Sequence, residues 1–176
     1  MPSSIAHAAV AVIANPVLEG HDRTRGLIWL AGAAAAAPDL DTVGWVLHGA
    51  DGPLSAAHRG VTHSLAVAIT AAAIGVALLQ WRRSLRSPAR TFAYLALVIA
   101  SHGALDCFAS YGPGVALLAP FADQRLKAPW RIFDGLLTEM VCLWLPALIF
   151  MVFDIGGFRS RLGAPSAESS PSRPAG

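Results

Sequence analysis

Two histidines stand at the mouth of an apolar run that approaches the length of a membrane span. The stretch His58-Arg59-Gly60-Val61-Thr62-His63-Ser64 leads directly into Leu65 to Leu79, which carries no charged residue. Such a run folds as a helix that covers its surface with protein or lipid, and ionisable groups at its end are expensive unless something holds them. A metal ion is the usual holder of paired imidazoles. Any further ligand has to arrive at the same helix mouth.

The 176-residue chain is 55% hydrophobic and only 14% charged, with a mean hydropathy of +0.53, too apolar for an ordinary soluble domain. Its net charge of +2 argues against nucleic acid as a partner. Cys107 and Cys142 lie in apolar segments without metal-ligand spacing, so neither a disulfide framework nor a thiolate site is indicated. The apolar N-terminal segment lacks a preceding Lys or Arg and contains His7, so it reads as retained rather than as a cleaved signal.

Five apolar segments follow in order: Ile5 to Leu18, Gly26 to Ala37, Ser64 to Gln80, Thr91 to Phe108 and Gly135 to Phe153. The first two are short, reaching only about 20 Å at ~1.5 Å per residue against a hydrocarbon core of ~30 Å. The reading is all-α: a multi-pass membrane helical bundle in one domain, residues 1–158, with a disordered Ser/Pro-rich tail over 159–176. Trp45-Val46-Leu47, in the polar loop between segments two and three, is placed to dip against the bilayer interface.

Charge sets an orientation. If the basic loop Arg82 to Arg90 is cytoplasmic, alternation puts Arg23, Arg25, Arg159 and Arg161 on that side too. The same alternation delivers His7, Asp39, Asp41, His58, His63, His102 and Asp106 to the opposite, non-cytoplasmic side. Scattered core polar residues have no reason to share a side.

His102 and Asp106 are spaced i, i+4 and share a helix face. His58 and His63 are five apart, so His58 belongs to the incoming loop and His63 to the first turn, with Thr62 or Ser64 as the helix cap. Asp39 and Asp41 alternate in a loop, which lets one bind metal while the other orients a water or an imidazole. This N/O donor set without thiolate suits zinc, manganese or iron, and its several carboxylates suit a two-metal hydrolytic site.

Blander readings stand beside these. His7 alone could be a packing group, His102 with Asp106 an intrahelical hydrogen-bonded pair, and Asp39 a turn residue after Pro38. Arg59 could hold a substrate phosphate or anchor the interface; Glu139 could be a further ligand or the partner of Arg131, and Asp134 is equally open. His21 and His48 read as solvated.

His7-Ala8-Ala9, Pro38-Asp39-Leu40-Asp41, His58 to Ser64, Ser101-His102-Gly103-Ala104-Leu105-Asp106 and Leu117-Leu118-Ala119-Pro120-Phe121 together resemble the YdjM-type family of bacterial inner-membrane proteins. The resemblance covers His7 to Phe121 and implies a metal-dependent hydrolase of the inner membrane. It also implies a distant similarity to zinc-dependent phospholipase C and the S1/P1 nucleases, all-helical proteins with a multinuclear zinc site. On that analogy His7, Asp39 or Asp41, His58 or His63, His102 and Asp106 are ligands. Asp106 is then a bridge, and an aspartate of the Pro-Asp-Leu-Asp stretch, Asp39 or Asp41, the general base. The later His-x-x-x-Glu motif of that group is absent, since Gly135 stands four residues before Glu139, which favours two ions over three.

The expectation is a hydrolase with a divalent metal, zinc first, acting on a phosphoester of a lipid or envelope molecule, with membrane lipids as its partners. The alternatives are a non-catalytic metal sensor or regulatory protein, and a metal or proton transporter. Ligands at helix mouths favour the enzyme, because a transporter keeps its site near the bilayer midplane.

Overall fold

A computed structural model describes residues 3–18, 22–43, 58–82, 85–109, 112, 114–133 and 135–162, with side chains to Phe153. His21, His48, Asp134, the Trp45 stretch and residues 163–176 lie outside the described residues. Helices α1 (Ser4–Ile13), α2 (Arg25–Ala36), α3 (Leu65–Arg82) and α4 (Pro88–Asp106) are followed by α5 (Leu136–Glu139). A π-helical stretch, Met140–Trp144, then leads into α6 (Leu145–Leu162). The described residues form no strand, only isolated bridges at Ala109 with Phe133 and Val115 with Leu126.

Local chemistry sets the ends. Ser3 caps α1 and Thr24 caps α2 through side-chain oxygens that accept from Ala6 N and Leu27 N. Ser64 caps α3, its Oγ accepting from Val67 N at 3.2 Å, so of the two candidate caps it is Ser64 that serves. Pro88 stands in the first turn of α4, which therefore begins three residues before the apolar pattern. In the last apolar segment Pro146 lacks an N–H, and the ladder loosens into the π stretch just before it.

Small residues let the helices approach closely. Ala11, Ala31, Ala35 and Ala72 join Leu18, Leu27, Tyr94, Leu95 and Val98 in a core shared by α1 to α4. Inside it, buried Tyr94 donates its hydroxyl to Ala11 O at 2.8 Å. A second cluster of Ala6, Ala9, Phe133, Leu143 and Ala147 packs α1 against the last helical segment.

Among the described residues, two helices are long and apolar enough to cross a membrane, Leu65–Arg82 and Leu136–Phe153, each of 18 residues. Only 11% and 17% of their residues are buried in the chain, so their apolar surface faces outward, as lipid-facing surface does and a soluble core does not. Helices α1 and α2, with 10 and 12 residues, fall short of a span.

Candidate metal centre

Four elements end at one place. His7 lies in the second turn of α1, Asp39 in the 3₁₀ turn Ala37–Leu40 behind α2, and His63 in the 3₁₀ turn Val61–His63 before α3. His102 and Asp106 occupy the last turns of α4. Asp106 is the hub: its Oδ1 is 3.6 Å from His7 Nε2, and its Oδ2 is 3.6 Å from His63 Nε2 and 3.9 Å from His102 Nε2. Asp39 Oδ1 is 3.3 Å from His102 Nε2. His7 and His102 stack with ring centroids 3.7 Å apart, and His63 meets His102 edge-on at 4.6 Å. His7, His63, His102 and Asp106 are at most 3% exposed.

Hydrogen bonds aim these groups. His102 Nδ1–H donates to Ala35 O at 2.6 Å, which turns Nε2 inward as the lone-pair nitrogen. Thr62 Oγ1 donates to Asp41 Oδ2 at 2.8 Å and lies 3.0 Å from His63 Nδ1. The chain of donors closes when His63 Nδ1 carries the proton, and His63 Nε2 then also faces inward. Ser4 Oγ donates to Asp39 Oδ2 at 2.9 Å, leaving Oδ1 toward His102.

His63 Nε2, His102 Nε2, Asp39 Oδ1, His7 Nε2 and both carboxylate oxygens of Asp106 are buried and not satisfied by an aligned hydrogen bond. Orphaned buried atoms are costly singly, and a set converging on one point calls for a shared partner. The ligand atoms of Asp39, His63, His102 and Asp106 all lie within 4.8 Å of one another, and the group can hold a metal ion. Two ligands on a tetrahedral ion with bonds of ~2.0–2.1 Å stand about 3.4 Å apart, close to the 3.3 and 3.6 Å separations here.

Protonation favours the same use. Burial pushes the His63 imidazole down and the neighbouring His102 adds to this, outweighing the surrounding aspartates, so it titrates at about 4 and is neutral near pH 7. For Asp39 burial alone would raise the carboxyl, but the facing His102, the Ser4 hydroxyl and His7 outweigh it and bring it to about 2. A neutral imidazole and an ionised carboxylate are the ligand forms of both groups.

The other candidates form a surrounding layer. His58 Nδ1 is 2.7 Å from Asp41 Oδ1, and Asp41 Oδ2 is 3.4 Å from His63 Nδ1, so this carboxylate joins the two histidines from outside the cluster. The His58 side chain is 26% exposed, at the rim. Arg59 is buried with Nε 3.3 Å from Asp106 Oδ2, in a left-handed conformation at φ 59°. Its neighbour Gly112 sits at φ 90°, where a side chain is strained, and a Cβ there would lie 2.7 Å from Arg59 Nη1. Glu139 accepts from Ser3 N at 3.0 Å and so bears on the start of α1.

Sequence reading missed Ser4, Ala35 and Thr62 as the groups that aim Asp39, His102 and His63. It also missed Gly103, where a Cβ would come 2.3 Å from His63 O. The neighbouring His102-Gly103 pair was the available signal, a small residue beside a ligand where another backbone passes.

The chain matches the family described as YdjM inner membrane protein over residues 1–163. It belongs to that family. It is also similar to the inner membrane protein YbcI of Escherichia coli (strain K12), 28% identical over 168 residues, covering 86% of this chain and 95% of that one. Both names support an inner-membrane location. No solved structure matches the chain.

Proposed function

We propose that this member of the YdjM family is a multi-pass, metal-dependent hydrolase acting on a phosphoester of a lipid or envelope molecule, with its site on the non-cytoplasmic side. The observation that carries the reading is the convergence of unsatisfied, buried His and Asp atoms at separations suited to a shared cation. Asp39, His63, His102 and Asp106 are the ligands in this proposal. Asp106 Oδ1, turned toward His7 rather than toward His63 and His102, is where a second ion would be shared. Zinc suits the N/O donor set best. The distant similarity to zinc-dependent phospholipase C and the S1/P1 nucleases that the motifs imply would agree with this chemistry.

A divalent ion bound there supplies Lewis acidity toward a phosphoryl oxygen and a water made easier to deprotonate. The chain's own groups do the rest. Asp41 and Thr62 hold His63 in one tautomer, and Ala35 O does the same for His102. Arg59 offsets the charge of Asp106. A cavity of about 330 Å³ lined by Gly60, Val61, Thr62, Ala116, Ala119, Asp123 and Arg125 adjoins Thr62, and it is the proposed seat of the substrate head. His58, fixed through Nδ1 on Asp41 and partly exposed, is placed to carry a proton between the reacting oxygen and water.

Metal analysis of purified protein, with His102→Ala and Asp106→Ala beside it, tests the proposal. Wild type should hold stoichiometric divalent metal and cleave an activated phosphodiester, and both variants should lose metal and activity together. Wild-type protein free of metal after purification without chelators would sink the site. Bound metal with no turnover of any phosphoester would favour a sensor.

A further inference from the structure

A second cavity, of about 490 Å³, opens between α1, α2 and α6. Ala8, Val12 and Asn15 line it from the first segment at i, i+4 and i+7, and Arg25, Ile28, Trp29, Gly32, Ala33 and Ala36 from the facing side of α2. Each set is a single helical face, so the cavity is a groove along the hairpin, about 16 Å from Arg25 to Ala36. Met151 of α6 closes its flank. Its walls are apolar except at one end, which holds Arg25 and Asn15.

Asn15 is 1% exposed and donates Nδ2 to Val12 O at 2.7 Å, while its Oδ1 has no hydrogen-bond partner. An amide oxygen left bare in an apolar wall is costly and calls for a donor. Exposed Arg25 lies at the same end, and its positive charge there attracts a phosphate. Beyond both, the groove offers only small and apolar side chains along its length, a lining suited to an alkyl chain.

We infer that this groove binds one phospholipid, with an acyl chain between α1 and α2, its phosphate at Arg25 and a head-group hydrogen-bond donor on Asn15 Oδ1. The ligand class follows from the three parts of the lining: an apolar track, a cation and an unsatisfied acceptor. Phosphatidylglycerol, through hydroxyls, and phosphatidylethanolamine, through its ammonium, present phosphate and donor together. Phosphatidylcholine presents the phosphate without the donor. The inference does not rest on the metal reading.

Native mass spectrometry of the full-length protein, exchanged into micelles with equal amounts of these three lipids, tests it. One phosphatidylglycerol or phosphatidylethanolamine per chain should survive delipidation, held about tenfold over phosphatidylcholine, the ratio that ~1.4 kcal/mol from one hydrogen bond gives. Arg25→Gln should release the bound lipid at lower activation, and Ala33→Trp, which fills the groove, should remove it while thermal melting shows the variant folded. Ala33 is exposed, so folding tolerates this change better than a core substitution would. Equal retention of phosphatidylcholine, or retention unchanged in either variant, would overturn the proposal. If the Trp variant fails to fold, the lipid preference of wild type and the Arg25→Gln comparison decide alone.

Discussion

Asp41 touches both His58 and His63, yet neither of its oxygens belongs to the group that closes on a single point. Substitutions there should therefore separate aiming from ligation. In the proposed site His63→Ala removes a ligand and should abolish stoichiometric metal, while His58→Ala should keep metal and lose turnover. Asp41→Asn should weaken metal about 10–100-fold, as loss of an orienting carboxylate does, read by competition with a fluorescent chelator. Protonation adds a second expectation for the metal-free protein. His63 titrates at about 4 when folded against an ordinary 6.5, so between those values the unfolded chain takes up a proton that the folded chain refuses. Stability then falls as pH drops from 6.5 to 4. Asp39 acts lower down, its folded value of about 2 against 3.8 making a contribution present above 3.8 and lost as pH falls toward 2. Thermal melts of metal-stripped protein should show the first loss, and His63→Gln should flatten the melting temperature between pH 6.5 and 4.

Helix α4 depends on a residue from another loop. Buried Asp22 accepts Arg86 N at 3.1 Å and Ser87 N at 2.7 Å, supplying from the α1–α2 connection the carboxylate that the start of α4 lacks in its own first turn. Asp22→Ala should cost about 0.5–2 kcal/mol in thermal unfolding, with metal content unchanged, because the cap lies at the far end of α4 from His102. At the other end, Gly103→Ala pushes a methyl into His63 O and should destabilise by about 1–3 kcal/mol, this time with loss of metal. The helices themselves were legible because each lies in a predominantly apolar run. Their ends shifted where a local cap or a proline decided them, as at Pro88 and Pro146. The i, i+4 pairing of His102 with Asp106 could be read because one helix fixes it. The division between His58 and His63, or Asp39 and Asp41, could not. It depends on where Thr62 and Ser4 reach across from other segments, and periodicity within one segment carries no such information.

Taken as a whole, the chain has two chemically distinct ends. Asp22 ties the α1–α2 connection to the α3–α4 connection, so Arg23 and Arg25 share an end with Arg82, Arg86 and Arg90. The cluster lies at the opposite ends of α1, α2, α3 and α4, so the separation of charge from ligands, drawn from alternation alone, has a physical counterpart in the packing. In the proposed orientation the basic connections stay cytoplasmic, because translocating them is unfavourable, and the cluster then lies on the other face. The short α1 and α2 do not weaken this proposal, since α3 and the Leu136–Phe153 stretch are long and apolar enough to span and the hairpin packs on α4 through its alanine face. A fluorescent reporter that matures only in the cytoplasm, inserted between Arg82 and Ser87, should be bright, and an exported phosphatase at the same position inactive. A phosphatase inserted in the loop before His58 should instead be active. The reverse pattern would place the cluster in the cytoplasm and remove envelope phosphoesters from its reach, while leaving the geometry that favours metal intact.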